Sequence, residues 1–206
     1  IAAVYAARET SGLTPEQQRL TWQHYTNFVR AGAQLDDQAK ARLAAINQRL
    51  ASLFTQFSQN LLADESGQYL LLESRDALAG LPDSVVAGAA ADAEARGFKG
   101  KWLVANTRSS VEPFLTYSTR RDLREKVWRT FVDRGDTGGA TDNNATITEI
   151  LKLRAERARL LGYATHAHWR LEDSMARTPE RAMALMEAVW TPAVAGGGAE
   201  GAGTQA

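Results

Sequence analysis

The chain has 206 residues, which is enough for one domain or one large helical lobe but marginal for two full domains. Hydrophobic residues make up 44% of it and charged residues 23%, which argues against a disordered protein, and the absence of cysteine excludes disulfides, thiolate metal ligands and a cysteine nucleophile. Its 24 Lys and Arg residues equal its 24 Asp and Glu residues in number, so the basic excess typical of nucleic-acid-binding proteins is missing.

The first third of the chain has the periodicity of two helices joined by a short turn. Thr14 followed by Pro15 predicts a helix start, because a threonine side chain accepts backbone N–H bonds at the N-cap and a proline fits the first helical position. Gly32 ends this helix, and a second helix starts near Asp36. Apolar residues spaced alternately by four and three then predict the narrow stripe of an antiparallel helix pair: Ala39, Leu43, Ile46, Leu50, Leu53, Phe57 and Leu61. We therefore expect a helical hairpin.

The middle of the chain is less regular. Two short apolar runs, residues 68–73 (QYLLLE) and 100–106 (GKWLVAN), are candidate strands that could form one small pair packed against the helices. Between them, residues 83–96 are rich in alanine and predict a helix closed by Gly97.

Helices resume after residue 118. Thr119 is a candidate N-cap for a helix that carries an apolar side through Phe131. A turn-rich loop follows at residues 135–144 (GDTGGATDNN), and either Asn143 or Thr146 could cap the long helix after it.

The last part of the chain predicts two more helices and a tail. A short helix covers residues 166–173, and Thr178 with Pro179 repeats the cap-and-proline signature at the start of another helix. Residues 196–206 are mostly glycine and alanine, which cannot bury apolar surface, so we expect a disordered tail. The expected fold is mainly α: a multi-helix lobe over residues 1–195 with long antiparallel helices and at most one two-stranded pair.

Residues that could carry chemistry are few. A helical zinc site of the His-Glu-x-x-His kind needs two imidazoles four positions apart on one face, and none of His24, His166 and His168 has that spacing. His166 and His168 are two apart, which on a helix directs them to nearly opposite sides. The sequence also lacks the Gly-x-Ser-x-Gly nucleophile motif and the phosphate-binding Gly-x-x-x-x-Gly-Lys-Ser/Thr loop. We therefore predict no catalytic residue and no metal ligand, and leave substrate-binding residues unassigned.

Two further groups of side chains are predicted to be structural. Aromatic residues at helical spacing predict core packing: Trp22, Tyr25, Phe28, Phe54, Phe57, Trp128 and Phe131. A basic run is interleaved with Asp122 and Glu125, which favours a solvated helix face over an anion site; its members are Arg120, Arg121, Arg124 and Lys126. No run approaches the roughly 18 consecutive apolar residues of a membrane span, so we expect no membrane partner.

Four segments together resemble the N-terminal helical portion of the M3 family of zinc metallopeptidases. They are Leu43–Leu62 (LAAINQRLASLFTQFSQNLL), Arg120–Trp128 (RRDLREKVW), Asp142–Tyr163 (DNNATITEILKLRAERARLLGY) and Met175–Pro179 (MARTP). Their order and spacing are similar to those of the family. Lys101-Trp102-Leu103 and the alanine-rich helix before it resemble the peptidyl-dipeptidase (dipeptidyl carboxypeptidase) branch more than the oligopeptidase A branch.

The resemblance implies an almost wholly helical enzyme, with two lobes around a deep channel that admits short peptides. In that family a zinc ion held by His-Glu-x-x-His and a downstream Glu activates the attacking water. Those family positions would fall after Trp190, so no catalytic, metal or substrate residue carries over to this chain. We therefore expect a non-catalytic part that forms one wall of the channel and is inactive alone, with zinc present only in the complete enzyme.

A second hypothesis is a standalone helical module that binds peptides or a partner protein without cleaving them. Under the first hypothesis, the partners are short peptides in the complete enzyme and the C-terminal catalytic portion. Under the second, the isolated chain should self-associate through exposed apolar surface or bind peptides without cleaving them. The chain begins at Ile1 with no visible signal peptide, so we expect a piece of a longer protein. We expect it in the cytoplasm, with the periplasm left open.

Overall fold

The computed structural model describes the backbone of residues 1–204 and the side chains of residues 1–200. The prediction of a mainly α fold with one small strand pair is confirmed. The helices are α1 (Ala2–Ala6), α2 (Pro15–Arg30), α3 (Asp37–Gly67), α4 (Asp83–Ala95), α5 (Arg108–Tyr117), α6 (Arg121–Val132), α7 (Asn144–Leu160), α8 (His166–Leu171) and α9 (Pro179–Thr204). The strands are β1 (Tyr69–Leu72) and β2 (Trp102–Ala105), and a 3-10 turn covers Arg75–Leu78. Within residues 1–204, no helix has both the length and the apolar composition needed to cross a bilayer.

Side-chain caps begin two of the helices where the sequence predicts them. Before α2, Thr14 Oγ1 accepts the backbone N–H of Gln17, and the Gln17 side chain accepts the backbone N–H of Thr14. This reciprocal capping box pairs two N–H groups that the helix itself leaves unpaired. Before α3, Asp36 Oδ1 accepts the N–H of Ala39 at 2.8 Å. Local sequence therefore determines where these helices begin.

Contacts within the chain divide it into two compact units. The first unit contains residues 1–49 and those from 151 onward, and the second contains residues 50–150. Both boundaries fall inside helices, in α3 and in α7. The sequence indicates a single lobe over residues 1–195 and gives no signal for this division, because the apolar stripe of α3 continues through the boundary.

The core of the second unit lies around the β1–β2 pair. The strands are antiparallel, with Tyr69 opposite Ala105 and Leu72 opposite Trp102. Successive strand residues point to opposite faces, and both faces of this pair are covered. The larger cluster of buried residues is Leu72, Ala77, Val104, Val111, Phe114, Leu123 and Val127. The smaller cluster is Ala93, Leu103 and Ala105.

In the first unit, the turn between α2 and α3 packs closely against α3. Gly32 has a φ of +93°, and a Cβ atom at this position would lie 2.5 Å from Cδ2 of Leu43. Arg42 on α3 donates to both carboxylate oxygens of Glu156 on α7, at 2.6 and 2.8 Å. The start of α3 therefore contacts the end of α7, as in an antiparallel pair.

In the second unit, buried polar groups attach the loop between α6 and α7 to α3. The carboxylate of Asp64, which is 3% exposed, accepts the N–H of Gly135 at 2.7 Å and the hydroxyl of Thr141 at 2.5 Å. The side chain of Asn143, a candidate N-cap of α7, instead donates to the carbonyl oxygen of Phe57 at 3.1 Å. Since buried polar groups need partners, these bonds determine the path of the loop.

Two helices differ from the prediction. Helix α5, which contains Pro113, is not among the predicted helices. Val111 and Phe114 are buried in the core of the second unit, so tertiary packing stabilises it. Thr119 does not cap α6. Its N–H and its hydroxyl both donate to the carbonyl oxygen of Ala79, at 2.9 and 3.2 Å.

Helix α9 continues into the glycine-rich end of the chain. The composition predicts a disordered tail over residues 196–206, whereas the helix runs to Thr204, and Gln205 and Ala206 lie outside the described residues. A helix that has already formed extends easily, because each further residue adds one backbone hydrogen bond. Every residue from 191 to 200 is exposed, and disorder of this tail in solution stays a prediction.

The predicted aromatic core is only partly buried. Phe28, Phe54 and Trp128 are 52%, 39% and 49% exposed, so the prediction that they pack in a core is wrong for these three. The other four are partly buried: Trp22, Tyr25, Phe57 and Phe131. Helical spacing marks an apolar face without showing what covers it, which is why the pattern misleads at these positions.

Candidate functional site

The histidines do not form a metal-binding arrangement with one another. His24 is exposed on α2. On α8, His168 Nδ1 lies 2.9 Å from Oγ1 of Thr165, while the ring of His166 lies 5.4 Å from that of Trp169, between centres. Over the described residues, no group of three or more His, Asp or Glu side chains could hold a metal ion. That no residue here is catalytic stays a prediction.

The most connected polar site of the first unit surrounds Arg30, the last residue of α2. Its buried guanidinium donates to the carbonyl oxygen of Trp169 at 2.6 Å, and the indole Nε1 of Trp169 donates back to the carbonyl oxygen of Arg30 at 3.3 Å. The same guanidinium lies 2.5 Å from Asp173 Oδ1 and 3.4 Å from Glu172 Oε2. Hydrogen bonding to Arg30 holds the pKa of the Asp173 carboxyl below its ordinary value. These contacts attach α8 to the end of α2.

Tyr163 extends this network from the turn before α8. Its hydroxyl donates to Oε2 of Glu172 at 2.6 Å, so Glu172 interacts with both a phenol and a guanidinium. Burial, followed by the hydrogen bond to Glu172, raises the pKa of Tyr163 to about 12. The phenol therefore stays protonated at neutral pH and acts as a hydrogen-bond donor that positions the carboxylate.

A basic cluster lies beside the same indole ring. The Cζ atom of Arg157 lies 4.6 Å from the ring centre of Trp169. Burial first, and then the charges of Arg154 and Arg170, lower the pKa of Arg157. Burial and those same arginines, together with Arg157, also lower the pKa of His166. Positive charge therefore accumulates at this point of the first unit.

In the second unit, Arg120 of the basic run and Arg129 just after it form exposed ion pairs, while Arg124 of the run donates to the carbonyl oxygen of Ser118. Arg120 donates to both carboxylate oxygens of Asp122, at 3.0 and 2.8 Å, and Arg129 donates to Glu125 at 2.8 Å. All four side chains are at least 40% exposed. Ion pairs at such positions satisfy the charges locally, which favours a structural role over an anion site.

An exposed apolar surface lies on α9. Several of its large side chains are between 49% and 69% exposed: Met183, Leu185, Met186, Val189, Trp190 and Val194. Contiguous exposed surface of this kind typically marks a place where another protein segment packs. Helix α9, predicted as part of the helical lobe, therefore presents an exposed apolar face.

Comparisons with known proteins identify the family. The family model "Peptidase family M3" matches residues 114–200. The chain is 35% identical over 189 residues to the dipeptidyl carboxypeptidase of Escherichia coli (strain K12), a match that covers 92% of this chain and 28% of that protein. It is 33% identical over 193 residues to the dipeptidyl carboxypeptidase of Salmonella typhimurium, covering 94% of this chain and 28% of that protein. The chain belongs to peptidase family M3.

This M3 chain spans 28% of the length of these two dipeptidyl carboxypeptidases. It is also 34% identical over 165 residues to the oligopeptidase A of Haemophilus influenzae, which covers 78% of this chain and 24% of that protein. The resemblance to the N-terminal portion of M3 metallopeptidases, inferred from four sequence segments, is thereby confirmed. Three of the segments lie inside the family match: Arg120–Trp128, Asp142–Tyr163 and Met175–Pro179.

Sequence reasoning missed both polar sites of the first unit. The bond from Arg30 to Trp169 joins residues 139 positions apart, and nothing local in the sequence indicates it. The basic cluster did have a signal. Arg154 and Arg157 are three apart on a predicted helix and therefore share a face, which indicates a local concentration of positive charge.

Proposed function

We propose that this chain is the non-catalytic N-terminal part of a zinc metallopeptidase that cleaves short peptides, of dipeptidyl carboxypeptidase or oligopeptidase type, and that it forms a wall of the substrate channel. Similarity to dipeptidyl carboxypeptidases over more than nine-tenths of the chain, but over only 28% of their length, carries this proposal. In the complete enzyme, zinc would supply the activation of water. The described residues do not fit a zinc site, so no reaction step is assigned to them.

The exposed face of α9 supports a role as one part of a larger enzyme. The family match extends to residue 200 and therefore includes most of α9. Exposure of its large apolar side chains to water is unfavourable, and Trp190 is 69% exposed. We expect the remaining M3 chain to cover this face in the complete peptidase.

Segment replacement tests the proposal. The matched segment of the Escherichia coli dipeptidyl carboxypeptidase is replaced with this chain, and cleavage of a short chromogenic peptide is measured together with zinc content. We expect the chimaera to cleave the peptide and the enzyme without the segment to be inactive. A folded, zinc-loaded chimaera without activity would contradict the role in the channel.

The isolated chain provides the complementary test. With added zinc it should not cleave the peptide, and cleavage by the purified chain would contradict the non-catalytic assignment. A chimaera with an inactivated active site, purified in the same way, measures the background activity of contaminating peptidases.

The second candidate is a standalone helical module that binds a peptide or a protein without cleaving it. The exposed α9 face favours it, because that face is available to any apolar partner. Sedimentation of the isolated chain measures self-association directly. Trp190→Ser should weaken association, whereas Trp128→Ser, at another exposed tryptophan on α6, serves as the matched control. Peptide binding together with an inactive chimaera would favour this second candidate.

A further inference from the structure

Arg157 and His166 each have a buried nitrogen without a hydrogen-bond partner. The two atoms are Nε of Arg157 and Nδ1 of His166. Both side chains lie against the indole of Trp169, with the Cζ atom of Arg157 at 4.6 Å from the ring centre and the His166 ring centre at 5.4 Å. Arg157 Nη1 donates a 3.1 Å bond to Asn47 Oδ1, a neutral acceptor that does not compensate the positive charge.

The charges that act on these two groups are repulsive. Arg154 and Arg170 lower the pKa of both side chains, and Arg157 lowers that of His166 as well. The members of the cluster lie on two helices. Arg154 and Arg157 are on α7, and His166 and Arg170 are on α8. A concentration of cations on two packed elements favours an anion between or beside them.

Acidic groups in this part of the first unit neutralise other cations. Asp173 lies 2.5 Å from Arg30, and Glu172 lies 3.4 Å from the same guanidinium. On α7, Glu156 forms a two-bond pair with Arg42 at 2.6 and 2.8 Å. The closest contacts of these carboxylates are therefore with Arg30 and Arg42, outside the basic cluster, although the charge of Arg170 also lowers the pKa of Asp173.

We propose that Arg157, His166 and Arg170 bind a small oxyanion, in the form of a carboxylate or phosphate group. Arginine suits such a ligand because its planar guanidinium presents paired N–H donors, and a protonated imidazole adds a further donor. Arg170 is exposed and the other two side chains are partly exposed, so the anion reaches them from solvent. The indole of Trp169 supports the Arg157 guanidinium by a cation–π contact. This site does not depend on the proposed peptidase role.

The proposal is tested by NMR titration of the intact chain. Inorganic phosphate and acetate are added in separate titrations, and chloride keeps the ionic strength constant. We expect the His166 Hε1 signal to shift and its pKa to rise, because a bound anion stabilises the protonated imidazole. The signal of His24, exposed on α2, should not respond. A response to acetate assigns the site to carboxylates, and a response to phosphate assigns it to phosphate groups. If neither salt moves the His166 signal beyond that of His24, the proposal is overturned.

Matched variants separate a site from general charge screening. Arg157→Gln should weaken the apparent affinity about tenfold, the loss expected for one charge-assisted hydrogen bond. Arg170→Gln, at an exposed position, should also weaken the affinity for the anion. This variant replaces Arg157→Gln as the test if Arg157→Gln unfolds the chain. Arg159→Gln, at an exposed position on the same helix as Arg157, should leave the affinity unchanged. Equal affinities in all three variants would overturn the proposal.

Discussion

Arg30 and Trp169 are joined by two hydrogen bonds that run in opposite directions, each from the side chain of one residue to the backbone carbonyl oxygen of the other. Arg30 Nη2 donates to the carbonyl oxygen of Trp169, and Trp169 Nε1 donates to the carbonyl oxygen of Arg30. The pair joins the last residue of α2 to α8, and Asp173 supplies the counter-charge. Each residue therefore pairs a carbonyl group of the other near a helix end, where backbone carbonyl groups lack partners within the helix.

Arg30→Met should destabilise the chain, because it leaves the Trp169 carbonyl oxygen and the Asp173 carboxylate without their partner. We expect a loss of about 2–3 kcal/mol in the free energy of unfolding, measured by urea denaturation. Arg159→Met, at an exposed position on α7, is the control and should change stability by less than about 0.5 kcal/mol. Equal stabilities for the two variants would show that the Arg30 contacts are not maintained in solution.

How much of this fold the sequence predicts depends on how local the deciding interaction is. The start of α2 is predictable, because Thr14 and Gln17 form its capping box within four residues. Helix α5 is not predictable, because its interior proline lowers its helix propensity and burial of Phe114 in the core of the second unit compensates. The strand pair is intermediate, since two short apolar runs predict it without fixing its register.

The functional part of the prediction came from resemblance rather than from residue chemistry. The spacing of the three histidines predicts no zinc motif, but spacing could not reveal the basic cluster around Trp169. That cluster depends on the packing of α7 against α8, which places Arg157 and His166 on one indole ring. The exposure of Trp128 is equally unpredictable, because an apolar stripe does not show whether another element covers it.

Gly32→Ala should be destabilising, because Gly32 has a left-handed φ of +93° and an added Cβ would lie 2.5 Å from Cδ2 of Leu43. We expect a loss of about 2 kcal/mol from backbone strain and steric overlap together. Gly88→Ala is the matched control. Gly88 lies inside α4 with no atom within 4 Å of an added Cβ, so the substitution should stabilise the chain by about 0.5–1 kcal/mol. Thermal denaturation of both variants checks the opposite signs, and the prediction fails if both changes have the same sign.

Asp64→Asn should loosen the loop between α6 and α7, because the amide cannot accept the N–H of Gly135 and the hydroxyl of Thr141 as a carboxylate does. We expect a loss of about 1–3 kcal/mol and faster hydrogen exchange at the Gly135 amide. Asp92→Asn, at an exposed position on α4, is the control for removal of one negative charge. Unchanged exchange at Gly135 would contradict the assigned role of Asp64.

The raised pKa of Tyr163 predicts that the folded chain loses stability at high pH. Its folded pKa is about 12, whereas an unfolded tyrosine ionises near its ordinary value of about 10. The unfolded chain therefore releases this proton first, so the contribution of Tyr163 is fully present below about pH 10 and is lost as the pH rises towards 12. Urea denaturation at about pH 9 and about pH 11 should show a smaller decrease for Tyr163→Phe than for the wild type. Tyr117→Phe removes the hydroxyl of an exposed tyrosine. Its free energy of unfolding is expected to decrease as much as that of the wild type. If Tyr163→Phe instead follows the wild type across this range, burial and the hydrogen bond to Glu172 do not raise the pKa of Tyr163 in solution.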